Sequence, residues 1–420
     1  MRILLYLTLV IACTIASDVD NSAHNLHQDH KNGHHDDKIA KAQKAIISAN
    51  MDFGLSFYKH IISENKDEGK STQKNLVFSP VSITTAFSML SLGAKSETHQ
   101  NILEGLRLNQ TEVPEKDLHE AMEHLQQLLN KPKSDLQVNI GNAVFVDNEM
   151  NILESFAHDL QHYYHAEAIT ANFNNPEDAK KQINDFVKNK TKGKIDELIT
   201  NLSNEVKLLL LNYIFLDAQW ETPFNPHMTH SSQFFIDENS TVEVKMMSRT
   251  DSFKVYEDEI LPCKVLSLPY KNNANMLLIL PKAGKMHKVE EALSVETVKR
   301  WQNSTKERFM ELHLPKFSIS SSLNLKEILT DIGMGIIFSD KADFSGITKD
   351  FPLKVSKVVH KAVLDVDEKG TKAAAVTEIE GVLTMLLEDF RVDRPFIALI
   401  CSEDVHTMLF MAKVINPTEK

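Results

Sequence analysis

Glu368-Lys-Gly-Thr-Lys-Ala-Ala-Ala-Val-Thr-Glu-Ile-Glu-Gly-Val-Leu-Thr-Met-Leu-Leu-Glu-Asp-Phe390, continuing to Pro395, is the stretch on which the fold turns. It follows a strand-like run, Lys361 to Val366, and precedes another, Phe396 to Cys401. Roughly 26 residues therefore join two strands, against a usual connection of about 4–6, and so long a loop in a compact chain is usually functional. Counted from Thr371, alternate residues fall into two sets. Thr371, Ala373, Ala375, Thr377, Ile379 and Gly381 are uncharged, while Lys372, Ala374, Val376, Glu378, Glu380 and Val382 hold every charge. A strand sends successive side chains to opposite faces, so this division suits a strand with one buried face. Gly370 at its start and the three alanines lower its strand propensity. The same alanines and the glutamates are good helix formers, and parity leaves a helix open. The segment reads as one able to become a strand without being committed to remain one.

Around it the pattern is dense. Ala49 to Ile62, Ser82 to Leu92 and Leu118 to Leu129 carry apolar residues at helical spacing. Strand-like runs occupy Val138 to Val146, Val206 to Phe215, Val265 to Leu268, Met276 to Leu280 and Met310 to Leu314. Helices dominate the first half and strands the second, with no linker between them. One large mixed α/β domain over 46–420 is expected.

The ends speak of compartment. Arg2, the apolar run Ile3 to Ile15 and the small residues Ala16 and Ser17 follow the order of a secretory signal, 1–17. Residues 18–45, rich in His, Asp and Lys, lack apolar periodicity and are expected to form a disordered arm. Sequons at Asn109, Asn189, Asn201, Asn239 and Asn303 favour a glycosylated secreted protein. Once Cys13 leaves with the signal, Cys263 and Cys401 remain, in apolar surroundings that suit free buried thiols.

With 42% apolar residues, the 420-residue chain has ample core, which excludes a disordered or fibrous class. Its 46 basic against 58 acidic residues argue against nucleic acid as the main partner. No G-x-S-x-G elbow, Walker loop or G-x-G-x-x-G is present. His119 and His124 are five apart, whereas two ligands on one helix face stand four apart. His158, His162 and His165 share one helical face and could ligate zinc, but a partly exposed helix explains them better. The tail histidines His24, His27, His30, His34 and His35 would catch metal only loosely. Lys188, Lys190, Lys192 and Lys194 could meet a glycosaminoglycan, though a solvated loop accounts for them. Nothing reads as an enzyme, and no cofactor or metal is implied.

Longer motifs then give a direction. Asn75-Leu-Val-Phe-Ser-Pro-Val-Ser-Ile83, Asn212-Tyr-Ile-Phe215, Trp220-Glu-Thr-Pro-Phe224 and Leu314-Pro-Lys-Phe317 occur in this order. They are followed by His360-Lys-Ala-Val363, Asp367-Glu-Lys-Gly-Thr371, Arg394-Pro-Phe396 and Leu409-Phe-Met-Ala-Lys-Val-Ile-Asn-Pro417. From about residue 46 onward the chain resembles the serpin family, in its alpha-1-antitrypsin-like branch (the clade A plasma serpins). The resemblance implies three β-sheets with surrounding helices and an exposed reactive-centre loop, here about 368–394. It implies no catalysis, and a secreted, extracellular plasma protein that inhibits a serine protease. The alternative is a non-inhibitory ligand carrier or subunit of a plasma protein complex. Neither nucleic acid nor membrane is an expected partner.

By position, Glu368, Gly370, Thr371, Ala373, Ala374 and Ala375 resemble the hinge of the loop. Ser79, Ser82, Asn212 and His360 match the shutter beneath the central sheet, and Trp220, Lys316 and Glu368 match the breach at its end. The family's mechanism implies cleavage of the loop, covalent acyl-enzyme trapping, and insertion of the cut segment into the central sheet. Thr371 to Thr384 would span roughly 45 Å as a strand at about 3.3 Å per residue. A gap between strands would offer it backbone partners on both sides, on the order of 10–20 kcal/mol of hydrogen bonding before packing and ordering are counted. Two departures, Lys372 for the usual Glu and Val376 for a smaller residue, both fall on the outward face.

Counting from Thr371 places the reactive bond at Thr384 and Met385, with Leu383 and Thr384 as the alternative. No Arg or Lys lies between 373 and 390, so an elastase- or chymotrypsin-like protease is expected rather than a trypsin-like one.

Overall fold

A computed structural model of the protein describes residues 26–67, 74–109, 113–130, 135–370 and 388–419; of 26–36 and 64–67 it describes the backbone alone. The signal 1–17 and the loop from Thr371 to Leu387 lie outside the described residues.

The helices are α1 (Leu26–Asp67), α2 (Pro80–Ser91), α3 (Ser96–Gly105), α4 (Glu115–Asn130) and α5 (Glu154–Tyr164), then α6 (Pro176–Lys190), α7 (Met286–Glu291), α8 (Val295–Ser304) and α9 (Leu325–Leu329). The strands begin with β1 (Leu76–Phe78), β2 (Leu136–Asp147), β3 (Glu167–Ala171), β4 (Leu208–Ala218) and β5 (His230–Phe235). They continue with β6 (Thr241–Asp258), β7 (Cys263–Tyr270), β8 (Ala274–Pro281), β9 (Lys306–Pro315) and β10 (Phe317–Asn324). The last are β11 (Lys357–Val366), β12 (Glu388–Arg391), β13 (Phe396–Ser402) and β14 (Thr407–Val414).

A five-stranded sheet runs β10-β11-β4-β2-β3. A nine-stranded sheet runs β1-β14-β13-β8-β7-β6-β9-β12, with β5 also on β6. Among the described residues, then, two continuous sheets stand where three were expected. The reason is β6: its 18 residues pair with β5 and β9 toward one end and with β7 at the other, which joins two smaller sheets into one.

The run Leu208 to Ile214 is buried throughout because β4 has apolar cover on both faces. Leu208, Leu210 and Ile214 belong to the main core, while Leu209, Leu211 and Tyr213 belong to a second cluster. That second cluster holds Ala179, Ile183 and Val187 of α6 together with Val359 of β11. Side chains of α6 and of the segment after it, Ile195, Leu198 and Ile199, thus share one apolar cluster with β4 and β11.

Two expectations shift. From Leu26 the arm expected to stay disordered to residue 45 belongs to α1 instead, and Ala42 and Ile46 are buried while Ile39 packs on the core. Helical spacing begins at Ile39, within the polar stretch that hid it. The long connection is also interrupted, because β12 pairs in parallel with β9 over Glu388–Arg391. Only Phe390 in that strand is buried, so no alternation announced it.

Candidate functional site

The five-stranded sheet has a seam. β11 pairs with β4 in parallel over seven residues, from Lys357↔Leu209 to Val363↔Phe215. Beyond them, Leu364 to Val366 and Leu216 to Ala218 have no pairing with each other, although each strand runs on. At this forked end the chain leaves β11 for the long loop. The place a new strand would enter is therefore closed over most of its length, and that strand would first have to part a hydrogen-bonded ladder.

The fork is held by the residues expected at the breach. Trp220, fully buried, stacks on Tyr270 at 4.2 Å between ring centroids and donates its indole N–H to the Asp367 carbonyl at 3.0 Å. The Trp220 backbone N–H donates to the Lys369 carbonyl (3.0 Å), and that of Phe224 to the Glu368 carbonyl (2.7 Å). Lys316 Nζ meets Glu368 Oε2 at 2.6 Å, and the Thr229 hydroxyl donates to Glu368 Oε1 at 2.8 Å. Burial pushes the Glu368 carboxyl up, but hydrogen bonds from Lys316, its own backbone and Thr229 outweigh it and leave it below its usual value.

Gly370 closes this turn. Its φ is +130°, and a Cβ there would stand 2.2 Å from the Ala218 carbonyl oxygen and 2.7 Å from the Trp220 nitrogen. Both the conformation and the contact demand glycine. Gly370→Ala is expected to cost about 2–4 kcal/mol, from backbone strain plus forced displacement. A lowered urea midpoint would register this cost; a variant as stable as the parent would contradict the turn.

Farther down the same seam lies a second polar group. Asn142 of β2, Asn212 of β4 and His360 of β11 stand side by side in register across three strands. Above them α2 begins, where the Ser79 hydroxyl caps the helix by accepting the Ser82 N–H at 3.2 Å. His360 Nε2 accepts the Ser79 N–H at 3.1 Å, so Nδ1 carries the proton and donates to Asn212 Oδ1. Asn212 Nδ2 in turn reaches Ser82 Oγ at 2.7 Å and Asn142 Oδ1 at 2.6 Å. The bond between Asn212 and His360 crosses the seam itself. Sequence reading supplied Ser79, Ser82, Asn212 and His360 but missed Asn142, a polar residue inside an apolar run whose place becomes clear only from register. Thr229 was missed too, since nothing local marks it.

Burial pulls the His360 imidazole down to about 3. In the unfolded chain a histidine titrates near 6.5. Below about pH 6.5 the unfolded state binds the additional proton, so stability falls as pH drops from there toward about 3, by up to about 1.4 kcal/mol per pH unit. Urea unfolding of His360→Asn at several pH values should show a slope shallower by that amount; an unchanged slope would mean that His360 is not held neutral.

The other expected residues are dispersed. All five sequon asparagines are exposed. Cys263 and Cys401 are free thiols, pushed up to about 12 by burial. His165 leaves the face of α5 because it caps that helix in the left-handed conformation (φ +49°), so His158 and His162 stack without a third ligand. Lys188 and Lys190 pair with Asp196 and Glu167 at 3.1 and 2.6 Å. Thr371, Ala373, Ala374, Ala375, Leu383, Thr384 and Met385 lie outside the described residues.

Comparison with known proteins gives the arrangement its family. Residues 48–417 match the family described as Serpin (serine protease inhibitor). Serine protease inhibitor A6 of Xenopus laevis is 39% identical over 440 aligned positions, covering 100% of this chain and 99% of that one. Serpin A3-1 of Bos taurus is 45% identical over 375, covering 89% and 90%. Among solved structures, human thyroxine-binding globulin in complex with its hormone superposes with a TM-score of 0.85 at 40% identity, over 90% of this chain and 100% of the other. Human glycosylated kallistatin gives 0.83 at 41%, over 90% and 99%. With the fold, the ordered motifs and these likenesses in agreement, the chain belongs to the serpin family, among relatives of the antiproteinase and A3 kind.

Proposed function

We propose that this chain is a secreted, glycosylated inhibitor of serine proteases, used once per molecule rather than turning over as an enzyme. A protease attacks the exposed loop about 368–394, at Thr384 and Met385 or one residue earlier, and forms its acyl bond. Cleavage frees one end of 371–384. That segment turns back at Gly370 and enters the seam between β4 and β11, antiparallel to both. The tethered protease is carried along, and its distortion prevents water from releasing it. The native arrangement is then a kinetically held state.

The observation that carries this reading is the forked seam. Two parallel strands are paired for seven residues and stand apart where the loop begins. A strand that reverses directly out of β11 is antiparallel to β11 and, by the same token, to β4. In this account the residues of the fork are the breach, where insertion starts, and the group around His360 and Asn212 is the shutter that must part. Side chains of α6 and of the segment after it share one apolar cluster with β4 and β11, so that cluster must rearrange as the strands separate. The sequence departures Lys372 and Val376 point outward in this scheme and obstruct nothing.

Incubation with a panel of serine proteases, followed by denaturing electrophoresis, tests the reading. A covalent complex with an elastase- or chymotrypsin-like protease is expected; cleavage of the loop by every member without a complex would overturn it. That outcome would favour a second reading, a ligand carrier, which the 40% identity to a globulin solved with thyroxine supports.

A further inference from the structure

Away from the seam, four chain segments border an open-mouthed cavity of about 810 Å³: the β5–β6 hairpin, the turn from β8 into α7, the link from β12 to β13, and the end of β14. Its walls include Phe235, Pro281, Met286, Pro395 and Ile415. The volume falls within the range of about 300–1,000 Å³ typical of small-molecule sites.

Most of the charges that reach the cavity are paired, the exception being the exposed Glu238 at its rim. Arg394 Nη1 meets Asp393 Oδ1 at 2.8 Å, and Lys282 Nζ lies 3.7 Å from Glu257. Asp237 turns into its own hairpin to accept the Asn239 N–H at 2.8 Å. Glu290 and Lys413, among the lining residues, have side chains 4% and 7% exposed and meet at 2.7 Å. The Tyr58 hydroxyl donates to that same Glu290 oxygen, Oε1, at 2.7 Å. Both of these contacts fall on Oε1 of Glu290, leaving Oε2 as a further acceptor, and the Lys413 ammonium has more N–H groups than its one partner uses.

We propose that this cavity binds an uncharged, mostly apolar small molecule carrying one hydroxyl or carbonyl group. Apolar walls favour the body of such a ligand. A hydroxyl can donate to Glu290 Oε2, and a carbonyl or hydroxyl oxygen can accept from Lys413. A charged ligand seated against Glu290 and Lys413 would have to break their buried pair, and burying an unpaired charge is costly. The site requires no protease and no loop insertion, so it stands independently of the inhibitory reading.

Benzophenone, apolar with a single carbonyl, is a suitable probe because light couples it to whatever C–H bonds it touches. Irradiation of the full-length protein should give saturable labelling, mapped by mass spectrometry to residues 235–238, 281–290, 393–395 or 413–415. Met286→Trp, which fills the cavity, should reduce that labelling about tenfold, equivalent to about 1.4 kcal/mol. If that variant fails to fold, Ile415→Trp serves in the same way. Labelling that does not saturate, that maps elsewhere, or that persists in the folded filled variant would overturn the proposal.

Discussion

Ala373→Arg is expected to convert the protein from a trap into an ordinary substrate. Its loop would still be cut, but the covalent complex would fall to a few per cent of the parent yield. Ala373 lies outside the described residues. Residue 373 belongs to the uncharged set, which an inserted strand would turn toward the interior. An arginine there must bury its guanidinium without a partner, at a cost of several kcal/mol. Each 1.36 kcal/mol added to the insertion barrier slows it about tenfold, while hydrolysis of the acyl bond is unaffected. About 3 kcal/mol therefore suffices for water to win the race. Lys372→Arg is the control: it adds the same group on the outward face and should leave complex formation intact. Electrophoresis of both variants against the protease that the parent traps gives the comparison, and equal complex yields for the two would contradict the parity assignment.

A nick in the loop is expected to raise the melting temperature by about 10 °C or more. For a chain of this size, on the order of 10 kcal/mol of added stability corresponds to a shift of that magnitude. Insertion breaks the seven-residue ladder between β4 and β11 and builds two ladders in its place. The net gain is about one ladder. Calorimetry of intact and nicked protein measures it. A melting temperature that stays level or falls would mean that the cut segment finds no place in the sheet.

How much of this was legible beforehand depended on which signal each element carries. Strands β4, β8 and β13, and β2 from Asn142 onward, are largely buried on both faces and announce themselves as apolar runs. β10, with Phe317-Ser-Ile-Ser-Ser-Ser-Leu-Asn324, carries too many serines for that signal and becomes a strand by pairing with β11. β6 alternates irregularly along its 18 residues because its neighbours change partway, and that change is what fuses the sheets. The site divides in the same manner. Ser79, Ser82, Asn212 and His360 were found through ordered motifs, since residues 79 and 360 meet only in three dimensions. Asn142 needed the strand register, and Thr229 needed the position of the Glu368 carboxylate. Helical spacing at Ile39 and Ala42 was present in the sequence but lay beside a run of histidines and aspartates.

The account depends on the loop becoming the strand that separates β4 from β11. Hydrogen–deuterium exchange, compared before and after a single nick at the reactive bond, addresses this directly. The backbone amides of 371–384 should pass from rapid exchange to strong protection, with Lys357 to Val363 and Leu209 to Phe215 remaining protected beside a new partner. Equal exchange of 371–384 in the two forms would contradict it.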